Sequence, residues 1–386
     1  MNVLFYKHTT INPLKGGIDR VTDVLYKKFK EEHNVYVLML EKVAENTDTH
    51  FYYVPNPQNE FSDENFKFAE ELINDLKIDI IINQEGITPN SSKFILNVNR
   101  GKSKLISVLH SDLTSIYGIS EKIPIWIMAK LPHKLITSLN KAMNVFFRYK
   151  YKQYWDSFAQ KNDAICILDE SLRKNTAKFI GFSPNTKKIF SLNNPITLQV
   201  PSSIERDKKK RTVLYVGRLS AEKNISTLMK AWALIEKKNP NWNLIIVGEG
   251  KCKSKLIKYK ETNNLQRIVF LGQQNPIPYY TEASIFCLTS FFEGLPLVII
   301  EAMTYGCVPV IFNSFATAQS LVENNKNGYL ISPYNTKKFA SSLNFLMNHS
   351  ETIEAMSSES IKKSQNYSIE KIITEWNKLF YTIKNT

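Results

Sequence analysis

Cysteine is scarce in this chain: four in 386 residues, at positions 166, 252, 287 and 307. They lie far apart, none belongs to a C-x-x-C pair, and no histidine cluster stands near them. That excludes a disulfide scaffold and argues against a structural zinc site. All four read as reduced core residues of a cytosolic protein. Long hydrophobic runs are missing as well. No apolar stretch approaches the roughly 20 residues that span a bilayer. The opening "MNVLFYKHTT" has no basic segment leading into a long apolar one, so no secretory leader is expected. Acid is in short supply: 36 Asp and Glu face 50 Lys and Arg, a net charge of +14. Such a balance suggests an anionic partner, whether nucleic acid, a membrane surface or a phosphorylated ligand.

What is present is an ordinary globular composition, 43% hydrophobic and 22% charged, with length for two or three domains. Short β-branched runs alternate with helical spacing. "NVLFY", "NVYVLML", "DIIIN" and "KLISVLH" read as strands. "GGIDRVTDVLYKKFKEE" and "SDENFKFAEELINDLKI" read as helices, the second capped by Ser62. A fresh series opens after Asn193 and the solvated run "ERDKKKR". Its strands are "TVLYVG", "WNLIIVGEG", "RIVFLG", "ASIFCLTS" and "VPVIFN"; its helices include "NISTLMKAWALIEKK", "KLIKYKETNNL" and "LPLVIIEAMTYG". The expectation is an α/β chain of two Rossmann-like, doubly wound domains, with parallel sheets covered on both faces. The domains are expected at 1–192 and 193–367, joined near 190–211. A last helix over 368–386 presents Ile369, Ile372, Ile373, Trp376 and Phe380. Ligands of such sheets sit beyond the carboxyl ends of the strands, here in a cleft facing both domains.

The stretch "FFEGLPLVIIEAMTYGCVPVI" is nearly all apolar yet contains Glu293 and Glu301, with no Lys or Arg among them. Pro296 suits the first helical position. Glu293 then falls in a loop and Glu301 in the second helical turn. Leu297 and Val298 offer free amides at the positive helix end, an anion site. A carboxylate can take two hydrogen bonds from a vicinal diol such as a ribose. The plainer readings are an exposed loop acid and a helix acid on a solvent face shared with Thr304. In "VLYVGRLSAEKNISTL", Gly217 permits a sharp turn, Asn224 can cap the next helix, and Arg218 and Lys223 suit a diphosphate. Solvated surface cations are the alternative. Gly16 and Gly17, before a helix, let a backbone approach a ligand, or form a plain turn. His110 ends its strand, aimed at the ligand edge or simply packed.

Together, E-x7-E in "EGLPLVIIEAM", "VGRLSAEKN" upstream and the early glycine pair resemble the retaining GT-B glycosyltransferases of family four. "IVGEGK", "VFLGQQ" and "ENNKNGYLI" extend the resemblance over essentially the whole chain. It implies a nucleotide-sugar donor, with UDP as nucleotide, a hexose or N-acetylhexosamine as the sugar moved, and a lipid-linked or polysaccharide acceptor of cell-surface glycan synthesis. It implies that Glu301 binds the ribose hydroxyls and that Glu293, with Gly294, Leu295, Leu297 and Val298, meets the donor sugar. Arg218 and Lys223 would hold the diphosphate, Gly17 (next to Gly16) would contact phosphate, His110 would face the donor sugar, and Gln274 would touch the base through its main chain. Glu293, Arg218, Lys223 and His110 are the catalytic candidates. The glycine pair is followed by Ile-Asp-Arg where many relatives have Ala-Glu-Arg. No D-x-D pair, the metal mark of the other main glycosyltransferase fold, lies between strands, so no cofactor and no divalent metal are expected. A non-catalytic partner subunit of another transferase is the rival reading.

The basic excess is uneven. From Gly101 to Phe190 there are fifteen Lys and Arg against six Asp and Glu. Between Leu113 and Trp155 seven cations meet one Glu, interleaved with Tyr117, Trp126, Phe146, Phe147, Tyr149, Tyr151, Tyr154 and Trp155. Lys134, Lys141 and Arg148 recur every seven residues beside an apolar stripe of Leu135, Leu139, Met143 and Phe146. The expectation is peripheral contact with anionic lipid at the inner membrane face, against the alternative of an inward stripe with solvated cations. No nucleic-acid motif accompanies the charge.

Overall fold

A computed structural model describes residues 1–13, 16–41, 48–116, 133–204 and 206–385. The side chains of Ile116, His133, Lys134, Ile136, Thr137 and Arg206 are not described. Residue contacts divide the described chain into two compact units, one of residues 1–116, 133–197 and 369–385, the other of 198–204 and 206–368.

The first unit is built on seven parallel strands: β1 (Asn2–Lys7), β2 (Asn34–Met39), β3 (Phe51–Tyr53), β4 (Ile80–Asn83), β5 (Lys104–Leu109), β6 (Ala164–Ile167) and β7 (Ile189–Ser191). Their order in the sheet is β3-β2-β1-β4-β5-β6-β7. Every residue of β4 and β6 is buried, as expected of a sheet covered on both faces. The helix Gly17–Phe29 ends in Phe29, whose ring lies 6.0 Å from Phe5, 5.9 Å from Trp376 and 5.3 Å from Phe380. The last two belong to the closing helix Ile369–Lys384, which buries Ile372, Ile373, Trp376, Leu379, Phe380 and Ile383. Polar ties fix the same packing, His33 Nε2 to Asn377 Oδ1 at 2.9 Å and Lys384 Nζ to Asp79 Oδ1 at 2.7 Å.

The second unit carries six parallel strands: β8 (Lys210–Val216), β9 (Asn243–Val247), β10 (Ile268–Gly272), β11 (Ala283–Leu288), β12 (Val308–Phe312) and β13 (Tyr329–Ile331). Their order is β10-β9-β8-β11-β12-β13. Lys209 pins the amino edge of this sheet. Its ammonium donates to the carbonyls of Tyr280 (3.0 Å), Ala283 (2.7 Å) and Tyr305 (2.7 Å).

Some local expectations change. Ser62 caps its helix by accepting from Asn65 N–H at 3.3 Å, as expected. Asn224 stands before the helix Ile225–Ala233 with φ 49°, and its side chain accepts from the Thr227 hydroxyl, not from a backbone amide. That helix gives way after Ala233 to a separate 3-10 turn at Glu236–Lys238. Cys166, Cys287 and Cys307 are buried, whereas Cys252 is only half-buried before the helix Lys253–Thr262 and is not a core residue.

Candidate functional site

At the carboxyl end of β8 the chain turns sharply. Gly217 has φ 151° and Gly248, after β9, has φ 144°; a Cβ on Gly248 would stand 1.9 Å from the Gly217 carbonyl oxygen. Only glycine lets these two loops touch. The turn continues into a 3-10 segment, Ala221–Lys223, that carries Lys223 to the loop after β11. Two further bonds join these loops: Phe291 N–H donates to the Glu222 carbonyl at 2.8 Å, and Thr289 Oγ1 donates to the Asn224 carbonyl at 3.0 Å.

There the first of the two acids finds its partner. Lys223 Nζ lies 2.7 and 2.9 Å from the two oxygens of Glu293, and Ser290 Oγ donates to the same carboxylate at 2.6 Å. The pair is largely shielded, with side-chain exposures of 17% and 10%. Pro296 is the residue before the helix Leu297–Thr304 and not its first residue, as the sequence reading had it. No side chain caps this helix, and the amides of Leu297 and Val298 have no hydrogen-bond partner among the described residues. Gly294 is held by its carbonyl, which accepts from Thr317 Oγ1 at 2.6 Å. Leu295 and Leu297 are buried, and Val298 is half-buried.

The second acid turns inward. Glu301 is 1% exposed and accepts from the Tyr280 hydroxyl at 3.0 Å. Thr304 is buried too, so the two do not form a solvent face. Arg218 stays in solvent, its side chain 78% exposed with a 3.4 Å contact to Glu222. Gln274 is exposed, its amide donating to the Leu271 carbonyl at 3.3 Å. The structure therefore joins Lys223 to Glu293 and leaves Arg218, Glu301 and Gln274 each with other partners.

The first unit has its own strand-end cluster. A Cβ on Gly16 would meet nothing within 4 Å among the described residues, so none of them demands a glycine there. Gly17 begins the helix that follows. His110, just past β5, is buried and bonded through Nε2 to Gln84 Oε1 at 2.5 Å. Burial, and secondarily the charge of Lys7, press its pKa down from 6.5 to about 3. A neutral ring results. Lys7, at the end of β1, lies 2.9 Å from Asp19 and 3.4 Å from Glu85. The sequence reading missed Lys7, Asp19, Gln84 and Glu85. Positions so far apart carry no local pattern, and a buried lysine at a strand's carboxyl end is the one signal that could have marked them.

The basic and aromatic region needs correcting. Residues Tyr117 and Trp126, and the side chain of Lys134, lie outside the described residues. Phe147, Tyr154 and Trp155 are buried, and Tyr151 is half-buried. Leu135, Leu139, Met143 and Phe146 share one face of the helix His133–Lys150, with Leu139 and Met143 half-buried and Leu135 and Phe146 exposed, so the stripe does not pack wholly inward. Arg148 bends to Asp156 at 2.6 Å and to the Ile180 carbonyl at 3.1 Å, and does not share a free face with Lys141.

Solved structures resemble this chain over nearly its whole length. S. aureus TarM covers 98% of it and 98% of its own chain at TM-score 0.74 and 16% identity. Anabaena HepE, in a structure with UDP, covers 100% of both at TM-score 0.74 and 17% identity. The chain has the GT-B fold. Within it, residues 198–363 match the family "Glycosyl transferases group 1". That segment holds Arg218, Lys223, Gln274, Glu293 and Glu301. By sequence, an uncharacterized glycosyltransferase of Haemophilus influenzae is 39% identical over 193 residues, 50% of this chain and 54% of that protein. The poly(glycerol-phosphate) alpha-glucosyltransferase of Bacillus subtilis is 30% identical over 234 residues, 59% of this chain and 34% of that protein. The matched part thus spans about half or less of these curated relatives.

Proposed function

We propose that this GT-B protein is a glycosyltransferase that moves a hexose or N-acetylhexosamine from a UDP-sugar to a lipid-linked or polysaccharide acceptor in cell-surface glycan synthesis. It would keep the anomeric configuration, in the manner of the family-four enzymes. The observation that carries the reading is the Lys223–Glu293 pair, 2.7 Å apart beside the uncapped start of helix Leu297–Thr304 at the carboxyl edge of the second unit's sheet. A leaving nucleoside diphosphate gains negative charge. The Lys223 ammonium and the Leu297 and Val298 amides are fixed positive groups suited to receive it. Arg218, on the same turn and unburied, is free to swing to the same phosphates. Glu293 would face the donor sugar, whose anomeric carbon gains positive charge. Glu301 would reach the ribose once Tyr280 yields one of its contacts, and the backbone at Gln274 would meet the base. Gly17, beside the open space at Gly16, would meet phosphate. The relatives support a cell-surface acceptor, since named ones act on poly(glycerol-phosphate) and on undecaprenol-linked glycans. The HepE structures with UDP and UDP-glucose support the nucleotide.

The proposal includes no cofactor and no divalent metal requirement; turnover unchanged by EDTA checks it. It also includes peripheral contact with an anionic membrane on the cytoplasmic side. No described helix is long and apolar enough to cross one. Val145, Phe146 and Tyr149 are 71%, 55% and 79% exposed on the helix His133–Lys150, near exposed Lys141, Lys150 and Lys152. Rings and aliphatic groups beside lysines suit the headgroup boundary.

The deciding experiment is a thermal-shift panel of nucleotide sugars followed by turnover with the best binder. A UDP-sugar should raise the melting temperature, and Lys223→Ala and Glu301→Ala should each abolish transfer. Full activity in both variants would remove the site from the proposal.

A further inference from the structure

The basic run before β8 reads in sequence as a solvated stretch, and the nucleotide groups leave it without a role. In the structure it forms part of the wall of a cavity of about 620 Å³. The cavity lies at the amino edge of the second unit's sheet. Lys209, Lys210 and Arg211 lead into β8, Trp242 precedes β9, Ser284 is the second residue of β11, and Gly306 comes shortly before β12. Lys223 and Glu293 follow β8 and β11 at the opposite, carboxyl edge, so this is a separate place. A cavity of several hundred Å³ is the size that holds a small organic molecule.

Four cations line it, Lys209, Lys210, Arg211 and Lys238, against one acid, Glu354. Lys210 pairs with Glu282 at 2.7 Å. Lys209 donates to three neutral carbonyls, which leave its charge uncancelled. Arg211 and Lys238 are exposed and make no ion pair among the described residues. Cations set around one hollow repel each other and favour an anion between them. The helix Ser350–Ser364 begins at the same cavity, with Ser350, Ile353 and Glu354 on its wall. No side chain caps it, and the amides of Ser350, Glu351 and Thr352 have no hydrogen-bond partner among the described residues. Its positive end adds to the cations. Arginine, lysine and helix amides together are the donors a phosphate takes.

The rest of the wall bears on what carries that phosphate. Trp242 and Met347 are buried and offer apolar surface, while Asn241 offers a side-chain amide. Ser284 Oγ and Ser357 Oγ donate to the carbonyls of Lys210 and Gly306, and each can still accept. Apolar surface with a few polar groups suits a carbon frame bearing hydroxyls. A nucleic acid would need cations spaced along a track, whereas these surround one hollow.

We infer that the second unit has a further ligand site, at the amino edge of its sheet, for a phosphorylated sugar or polyol. Such a site is independent of the transfer reaction proposed above.

The test is calorimetry on the full chain in low-salt, phosphate-free buffer. Glucose 6-phosphate stands for a free phosphomonoester, and glycerophosphoglycerol for the diester unit of a phosphate polymer. Glucose and inorganic phosphate are the controls. At least one of the two organic phosphates should bind, at least about tenfold more tightly than either control. The tighter of the two tells whether the source is a free metabolite or a polymer. Arg211→Ser with Lys238→Ser changes two exposed side chains, so folding should be unaffected. This double variant should weaken the organic phosphate at least about tenfold and leave UDP affinity unchanged. Lys223→Ala should leave the organic phosphate unaffected. The inference is overturned if neither organic phosphate binds, if either control binds as tightly, or if the double variant binds as well as the unaltered chain. Loss of binding in Lys223→Ala would place the ligand among the nucleotide groups and overturn it too. A chain that binds the organic phosphate but not UDP would keep this site and remove the glycosyltransferase reading.

Discussion

Lys223 and Glu293, seventy positions apart in sequence, form a shielded ion pair in which one ammonium meets both oxygens of one carboxylate, at 2.7 and 2.9 Å. An anionic ligand that needs Lys223 must compete with Glu293 for it. Glu293→Gln removes the competitor's charge but keeps a polar side chain for Ser290. UDP should then bind severalfold more tightly by calorimetry while turnover falls by about a hundredfold or more. Weaker UDP binding in this variant would show that Glu293 holds Lys223 in place for the phosphates and does not contend with them.

His110 gives a pH dependence whose sign is fixed. Its pKa is 6.5 in the unfolded chain and about 3 in the folded one. Above pH 6.5 neither state holds the extra proton; between 6.5 and 3 the unfolded chain alone binds it. Stability must therefore fall as pH drops through that window. Urea unfolding of His110→Asn should show a flatter decline between pH 6.5 and 4 than the unaltered chain. Parallel declines would mean that His110 is not held neutral.

Lys209 holds three carbonyls at once. Lys209→Met keeps the aliphatic stem and strands those oxygens, so unfolding free energy should drop by about 2–4 kcal/mol in urea titration. UDP affinity should not change, because Lys209 stands at the amino edge of the sheet and the nucleotide groups at the carboxyl edge.

Membrane contact is tested by Val145→Ser with Tyr149→Ser. Both side chains are more than two-thirds exposed, so folding should be unaffected. Sedimentation with phosphatidylglycerol vesicles should show binding reduced about tenfold or more. Equal binding would exclude this face.

The alternation of β1, β2, β4, β5 and then β8 through β12 is legible in the sequence because parallel strands buried on both faces must be β-branched runs of four to seven residues. The three-residue β3, β7 and β13 fall below the length at which periodicity says anything, and β6, "AICI", as short as β4, lacks the unbroken isoleucine run that marks β4. The helices Pro89–Asn97 and Arg173–Ile180 escape for a related reason: eight or nine residues give barely two turns of spacing. At the site, sequence places Glu293 in a loop and Glu301 in the second turn, and the chain does so. What it cannot say is what each acid holds. Lys223 and the Tyr280 hydroxyl reach them only through the sheet order, which sets β8 beside β11. The charged knot around Lys7 is hidden likewise, since Lys7, Asp19 and Glu85 share no window of sequence.

The closing helix Ile369–Lys384 belongs to the unit that begins the chain, where Trp376 and Phe380 cover Phe29. During synthesis the ribosome therefore delivers the last strand of the N-terminal sheet, which ends at Ser191, well over a hundred residues before the covering helix that begins at Ile369. Until that helix emerges, Phe29 and its neighbours are a bare hydrophobic face for chaperones to shelter. A stop codon anywhere between Ser191 and Ile369 would leave that face open for good, so such nonsense alleles should yield aggregating protein and not a shortened, working one.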